Sequence, residues 1–362
     1  MPLSLSDRQR LRFPIGHAPD IPHASSTIKL FTLTSPGKVG KGRPPLLPRD
    51  LKNKMPAPDY SVELELGEPA EQLLEHARLH CGEDDSTRLQ AIYELRDIIY
   101  ERGECDPHRM DDEFLIRFLR ARNFIPQRAH RLMVNYYRFK QENSELFEDV
   151  YPLKLRHVGD SNVIAVPPYH DQNGRRLLIY RIGCWDPKAV PIDDLFRATI
   201  LAMELGMLEQ RNQILGGLAI FDLADIGTQQ AWQITPSIAN KIVRLLVSCS
   251  PATTHAIHII NHSWLFDKMY NMFKPLLNST MRSKIFFHGY DVKSLHQHIH
   301  PEHLPERYGG VWPDYSYTIW LDSLKNNYAV AKEMISCGYK FHEEELSPEV
   351  VKRLKEDDVR LS

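Results

Sequence analysis

The chain has 362 residues, with 45 Lys or Arg against 47 Asp or Glu, a net charge of −2 and 42% apolar residues. This is the composition of an ordinary globular protein, long enough for about two domains and for a core that needs no disulfide support. The near-neutral balance argues against a dedicated nucleic-acid binder, which declares itself by a basic excess.

The total hides a split. Residues 1–58 carry ten Lys or Arg, three Asp or Glu and ten of the 25 prolines, so a segment of +7 precedes a body of −9. The stretch PGKVGKGRPPLLPR has too little apolar content to offset the entropy of ordering it, and 1–58 reads as a disordered basic extension. Gly37, Gly40 and Gly42 lack the Walker spacing and follow no apolar strand. Arg8, Arg10 and Arg12 hint at a transit peptide, but Pro14, Pro19 and Pro22 break the amphipathic helix that one needs. There is no secretory apolar core and no run of 18 apolar residues. The five cysteines are scattered, without a CxxC pair, which points to a reducing, cytosolic setting rather than a disulfide frame or zinc ribbon.

Residues 69–148 read as a helical module. In STRLQAIYELRDIIYER, Leu89, Ile92, Leu95 and Ile98 recur at helical spacing after Ser86 as a cap. Asp111 and Asp112 open a second helix whose stripe is Phe114, Leu115, Phe118 and Leu119, leaving Arg117, Arg120 and Arg122 to reach elsewhere. A third helix starts at Pro126. From about 157 the rhythm changes. NVIAVPPY and RRLLIYRIG are strand-like runs around HDQNG, whose Asn173-Gly174 pair signals a hairpin. A helix is predicted over 193–212, a strand buried on both faces over 217–225, a helix over 235–249 and a strand over 255–261. A helix over 263–275 and a strand over 284–289 follow. Strands alternating with helices give an α/β class with a mostly parallel, helix-covered sheet over 152–320. Residues 321–362, ending in HEEELSPEVVKRLKEDD, read as a helical, charged tail.

Enzyme motifs are missing: there is no GxSxG, HExxH or P-loop. Asp222 ends a strand, where catalytic acids often lie, but structural carboxylates lie there too and no partner can be named from spacing. His296, His298, His300 and His303 have a spacing that could gather around zinc or copper. Helical residues two apart diverge by about 200° and Pro301 interrupts the turn, so a solvated cluster is the simpler reading and no metal or other cofactor is expected. The third candidate is an apolar cavity. The helix SWLFDKMYNMFKPLL carries Trp264, Leu265, Phe266, Met269, Tyr270 and Phe273, more apolar area than one buried face requires. Its methionines and aromatics suit an adaptable lipid or membrane contact.

DDEFLIRFLRARNFIPQRAHRLMVNYYRFK resembles the helical N-terminal module of CRAL-TRIO proteins, and AIFDLADIGTQQAWQITPS, IHIINHSWLFDKMYNMFKPLL, KIFFHG and HLPERYGG resemble their lipid-binding domain. The likeness covers about 70–320 and lies nearest the tocopherol- and retinoid-carrying branch of that family. It implies the CRAL-TRIO fold, with a helix-floored sheet, an apolar cavity and a gate at about 262–277. By position the cavity is lined by Tyr180, Phe196, Thr199, Met203, Ile242, Leu245, Leu246 and Ile257, and the gate carries Trp264, Leu265, Phe266, Met269 and Phe273. The family's phosphoinositide patch falls on Arg122, His255 and Lys284, with threonines at 253 and 280 and with Arg282 and Lys268 close by. The implied protein is no enzyme. It is a monomeric carrier, cytoplasmic and peripheral to endosomal or other membranes, that presents a hydrophobic lipid at a phosphoinositide-bearing surface and needs no nucleic acid. The alternative is a trafficking adaptor that binds phosphoinositide and keeps the cavity as core.

Overall fold

A computed structural model describes residues 64–357 except 149. The basic extension 1–58 and residues 358–362 lie outside the described residues.

The first helices are α1 (Glu71–Cys81), α2 (Arg88–Arg102), α3 (Asp112–Arg120) and α4 (Pro126–Glu142). Gly82 ends α1 and Gly103 ends α2 in the left-handed conformation that glycine adopts most easily. Asp111 caps α3 by accepting the Phe114 N–H at 3.1 Å. Ser86 is not the cap of α2; it bonds back to Asp84 instead. Of the expected α2 stripe Ile92, Leu95 and Ile98 are buried and Leu89 is exposed, and Ile99 is buried as well.

Five strands follow: β1 (Ile164–Ala165), β2 (Leu177–Arg181), β3 (Gly217–Asp222), β4 (Thr254–Ile260) and β5 (Ile285–Gly289). They lie side by side in chain order, β1 antiparallel to β2 and the rest parallel. The hairpin between β1 and β2 closes on Asp171 and Arg175 (N–H to O, 2.8 Å) with Gly174 at φ +78°. Its loop therefore has three residues, not the two an Asn-Gly turn suggests. Between the strands run α5 (Ile192–Gly206), α6 (Gln210–Leu215), α7 (Thr228–Gln233) and α8 (Pro236–Val243), the last continued by a π-helical turn, Arg244–Cys249. Then come α9 (Trp264–Phe273), α10 (Val292–His296), α11 (Tyr317–Leu324), α12 (Tyr328–Ser336) and α13 (Pro348–Glu356).

Two further readings of the sequence need correction. The helix expected over 193–212 is broken into α5 and α6. Glu209, in the break, is drawn inward to Arg176 (Oε2 to Nε, 2.7 Å) and to Asn212, which a continuous helix would not allow. The charged tail is not a tail as far as residue 357. Trp320, Leu321, Val330, Met334, Val350 and Leu354 are buried in the same apolar cluster as Trp185, Leu201 and Leu205. Charges on the outer side of α13 outweigh its buried stripe in composition but do not prevent docking.

Each central strand puts alternate residues on opposite faces. On one face Ile179, Leu218, Ile220 and Ile260 pack with Leu295, Ile299 and Tyr308. That face also buries two histidines. His258 Nδ1 lies 3.0 Å from His288 Nε2, and His288 Nδ1 lies 2.8 Å from Ser294 Oγ. Burial, and then each other's proximity, lowers His258 to about 3; burial and His298 lower His288 to about 4. Both are neutral when folded, whereas an unfolded histidine titrates near 6.5. Between those limits the unfolded chain binds more protons, so stability is complete above pH ~6.5 and falls as pH drops toward 4. Urea unfolding at pH 7 and pH 5 should show a loss of about 1.4 kcal/mol per pH unit for each proton taken up. The loss should be smaller in a His258→Gln variant.

Candidate functional site

The opposite face of the sheet and the helices above it enclose a cavity of about 190 Å³. The strands contribute Tyr180, Phe221, Ile257, Ile259 and Ile285. From α5 come Ile192, Leu195, Phe196 and Thr199, spaced i, i+3, i+4, i+7 along one helix face. Asp193 and Asp194 in its first turn suit the positive end of the helix dipole. In the π-helical turn after α8 the consecutive residues Leu245, Leu246 and Val247 all line the wall. Phe266, Met269 and Phe273 of α9 close the space.

Among the described residues no charged side chain lines this cavity. Two of its hydroxyls already have partners: Tyr180 donates to Thr199 Oγ1 at 2.9 Å, and Thr199 donates to the Leu195 carbonyl at 2.8 Å. Burial pushes the Tyr180 phenol above its usual range, so it stays neutral. Such a space can hold hydrocarbon, and besides these two paired hydroxyls its lining includes the phenol of Tyr270.

Seven of the eight cavity residues inferred from sequence line this space: Tyr180, Phe196, Thr199, Ile242, Leu245, Leu246 and Ile257. Met203 does not. One turn beyond Thr199 on α5, it lines a smaller adjoining cavity. Of the gate residues, Phe266, Met269 and Phe273 face inward. Leu265 is half-buried outside the lining, and Trp264 is 67% exposed with Lys268 Nζ 4.8 Å from its ring centroid. The helix is thus two-faced rather than apolar all round, with Asp267, Lys268 and Asn271 on its wet side. Sequence reasoning missed Phe221 and Ile259, which alternation along β3 and β4 could have supplied. It also missed Trp232, 81% exposed on α7, a helix that packs against α9.

The basic residues are only partly gathered. His255 is exposed at the start of β4, and Lys284, just before β5, donates to the Thr254 carbonyl at 2.7 Å. Burial, Arg175 and Lys284 lower the His255 pKa, and burial lowers Lys284. Arg175 in the hairpin therefore belongs to this group although the sequence reading passed it over. Arg122 is half-buried, donates to the Ala121 carbonyl at 2.7 Å and has its pKa lowered by burial.

The other candidates have structural roles. Asp222 accepts from the Ala224 N–H at 3.0 Å, Asn261 at 2.8 Å and the Tyr308 hydroxyl at 3.1 Å, tying the ends of β3 and β4 together. His296 pairs with the Tyr308 carbonyl and His303 with the His170 carbonyl, both at 2.8 Å, while His298 packs on Phe286. Three of the four histidines are therefore engaged with backbone and rings, while His300 is exposed as a solvated cluster would have it. Among the described residues no three His, Cys, Asp or Glu are grouped to hold a metal.

Residues 160–310 match the CRAL/TRIO domain. Over 258 residues the chain is 33% identical to Clavesin-1 of Xenopus laevis, covering 70% of this chain and 77% of that protein. Over 294 residues it is 33% identical to Clavesin-2 of Homo sapiens, covering 78% and 88%. The chain belongs to the CRAL/TRIO family. Lipid binding is the general activity this membership carries. A solved structure, "Crystal structure of Sfh5", aligns at 15% identity and a TM-score of 0.42, over 76% of this chain and 98% of that one. Among the described residues no helix is long and apolar enough to cross a membrane.

Proposed function

We propose that this CRAL/TRIO protein carries one small hydrophobic lipid, of tocopherol or retinoid type, and presents it at phosphoinositide-bearing membranes from the cytoplasm. The observation that carries the reading is the 190 Å³ cavity, closed by α9 and lined without a charge. Burying roughly 500 Å² of a lipid at about 25 cal/mol/Å² contributes on the order of 12 kcal/mol before the costs of binding. That suffices for carriage without covalent chemistry. The exposed Trp232 and Trp264 on neighbouring helices suit the interface of a bilayer, where an amphipathic ring is best placed. Lys284 and Arg175 supply cations for an anionic headgroup, each worth about 1 kcal/mol near such a surface, and His255 stands beside them as a neutral hydrogen-bonding group.

Native mass spectrometry of the purified chain with α-tocopherol, all-trans-retinal and phospholipids tests the proposal. One retained hydrophobic molecule per chain is expected. A chain that retains none of them is not a carrier.

A further inference from the structure

The adjoining cavity has a volume of about 100 Å³ and runs from Tyr180 and Phe221 toward Arg176, Asn212 and Thr253. Tyr180, Phe221, Leu246 and Ile257 line both spaces, so these side chains are the wall between them. The two rings face each other across the β2–β3 register, with centroids 4.7 Å apart and planes 6° from parallel. Their anchoring differs. The Tyr180 ring is fixed at its far end by the bond to Thr199, itself bonded to Leu195. The Phe221 ring has no polar atom and is held by packing alone, half-buried between the two spaces.

We propose that Phe221 is the movable leaf of a partition, and that one extended hydrocarbon chain longer than the main cavity displaces it and occupies both chambers. The inference rests on the carrier reading and names what decides the length of the cargo. Magnitudes favour opening. A stacked aromatic pair is worth a factor of roughly two to twelve in an equilibrium constant. Each methylene that leaves water for apolar space is worth about fourfold. Two or three added methylenes therefore outweigh the stack, and 100 Å³ holds several groups, since one water-sized group needs only ~10–15 Å³.

The far end of the second chamber selects a methyl terminus over a charged one. Arg176 is already paired with Glu209 (Nε to Oε2, 2.7 Å), and Asn212 Nδ2 donates to the Gly206 carbonyl at 3.1 Å. The Arg176 charge is thus already neutralised by Glu209, so a carboxylate gains little there. Met203 on the side wall is unbranched and adapts to a chain end.

The test uses the full chain, stripped of lipid, and a series of straight-chain alcohols from dodecanol to docosanol. In the wild type, affinity should rise about fourfold per carbon, pause at the length that fills the main chamber, then rise again. In Phe221→Ala the pause should vanish, so that the ratio of affinities for the longest and shortest alcohols rises about tenfold over the wild-type ratio. Phe221→Leu, which keeps most of the wall's volume without a ring, should show the same pattern and guards against loss of fold in the alanine variant. If the wild type binds the series and both variants keep the pause, or weaken every length alike, the partition is wrong and the carrier reading stands. If the wild type retains no alcohol, both fall.

Discussion

Arg120→Met is expected to lower the stability of the chain by about 3–5 kcal/mol, the usual cost of leaving one member of a buried ion pair alone. Arg120 and Glu83 are each 3% exposed. The guanidinium meets the carboxylate through two bonds, Nε to Oε2 at 2.7 Å and Nη2 to Oε1 at 2.8 Å. Its remaining nitrogen donates to Gln213 at 2.7 Å and Gln210 at 3.1 Å on α6. One side chain thus joins α3, the segment after α1 and the helix before β3. Without it, Glu83 keeps only Arg88, at 3.5 Å and partly in solvent. Equilibrium urea unfolding measures the loss. The double variant Glu83→Gln with Arg120→Met should recover most of it, because no charge is then stranded. A single variant within about 1 kcal/mol of the wild type would show that the pair contributes only as a surface bridge does.

Ile259→Trp should abolish lipid retention and leave the fold standing. Ile259 is buried on the cavity side of β4, so an indole there grows into existing space. Adding bulk to a filled core typically costs about 1–3 kcal/mol. Here the open volume should absorb it, so the expected change in melting temperature is near zero while retained lipid drops by at least about a hundredfold, the worth of some four methylenes displaced. Flotation with vesicles containing phosphatidylinositol bisphosphate should be unchanged, because His255, Lys284 and Arg175 are not among the cavity's lining residues. Loss of stability with lipid retention intact would mean that the space is ordinary core, as the adaptor alternative requires.

The local frame of the fold is legible in the residues. GLAIFDLAD and HAIHIIN have the unbroken apolar character of strands covered on both faces, and both lie in the parallel part of the sheet. Prolines and capping residues mark helix starts at Pro126 and at Thr235, whose hydroxyl accepts the Ile238 N–H. Seven cavity positions follow from the family likeness, because the pattern of apolar types along α5, α8 and β4 carries over by position. These are properties of neighbours along the chain. The basic segment and the acidic body are likewise plain from charge counts, but the cations proposed for a headgroup, Arg175 and Lys284, come from two separate elements, which no count could single out.

What the sequence by itself determined is the alternation of strands and helices, their apolar faces and the family to which they belong. The tertiary structure decided the rest. It turned Glu209 inward onto Arg176 and broke one expected helix into two, and it docked α11, α12 and α13 where composition suggests a tail. It paired His258 with His288 across 30 residues, and placed Met203 in the wall of a second chamber. Periodicity reports which side of an element is buried. It says nothing of what lies across the gap, because a buried charge, a hydrogen-bonded imidazole or a dividing ring is placed by partners distant in sequence, and their positions exist only once the chain has folded.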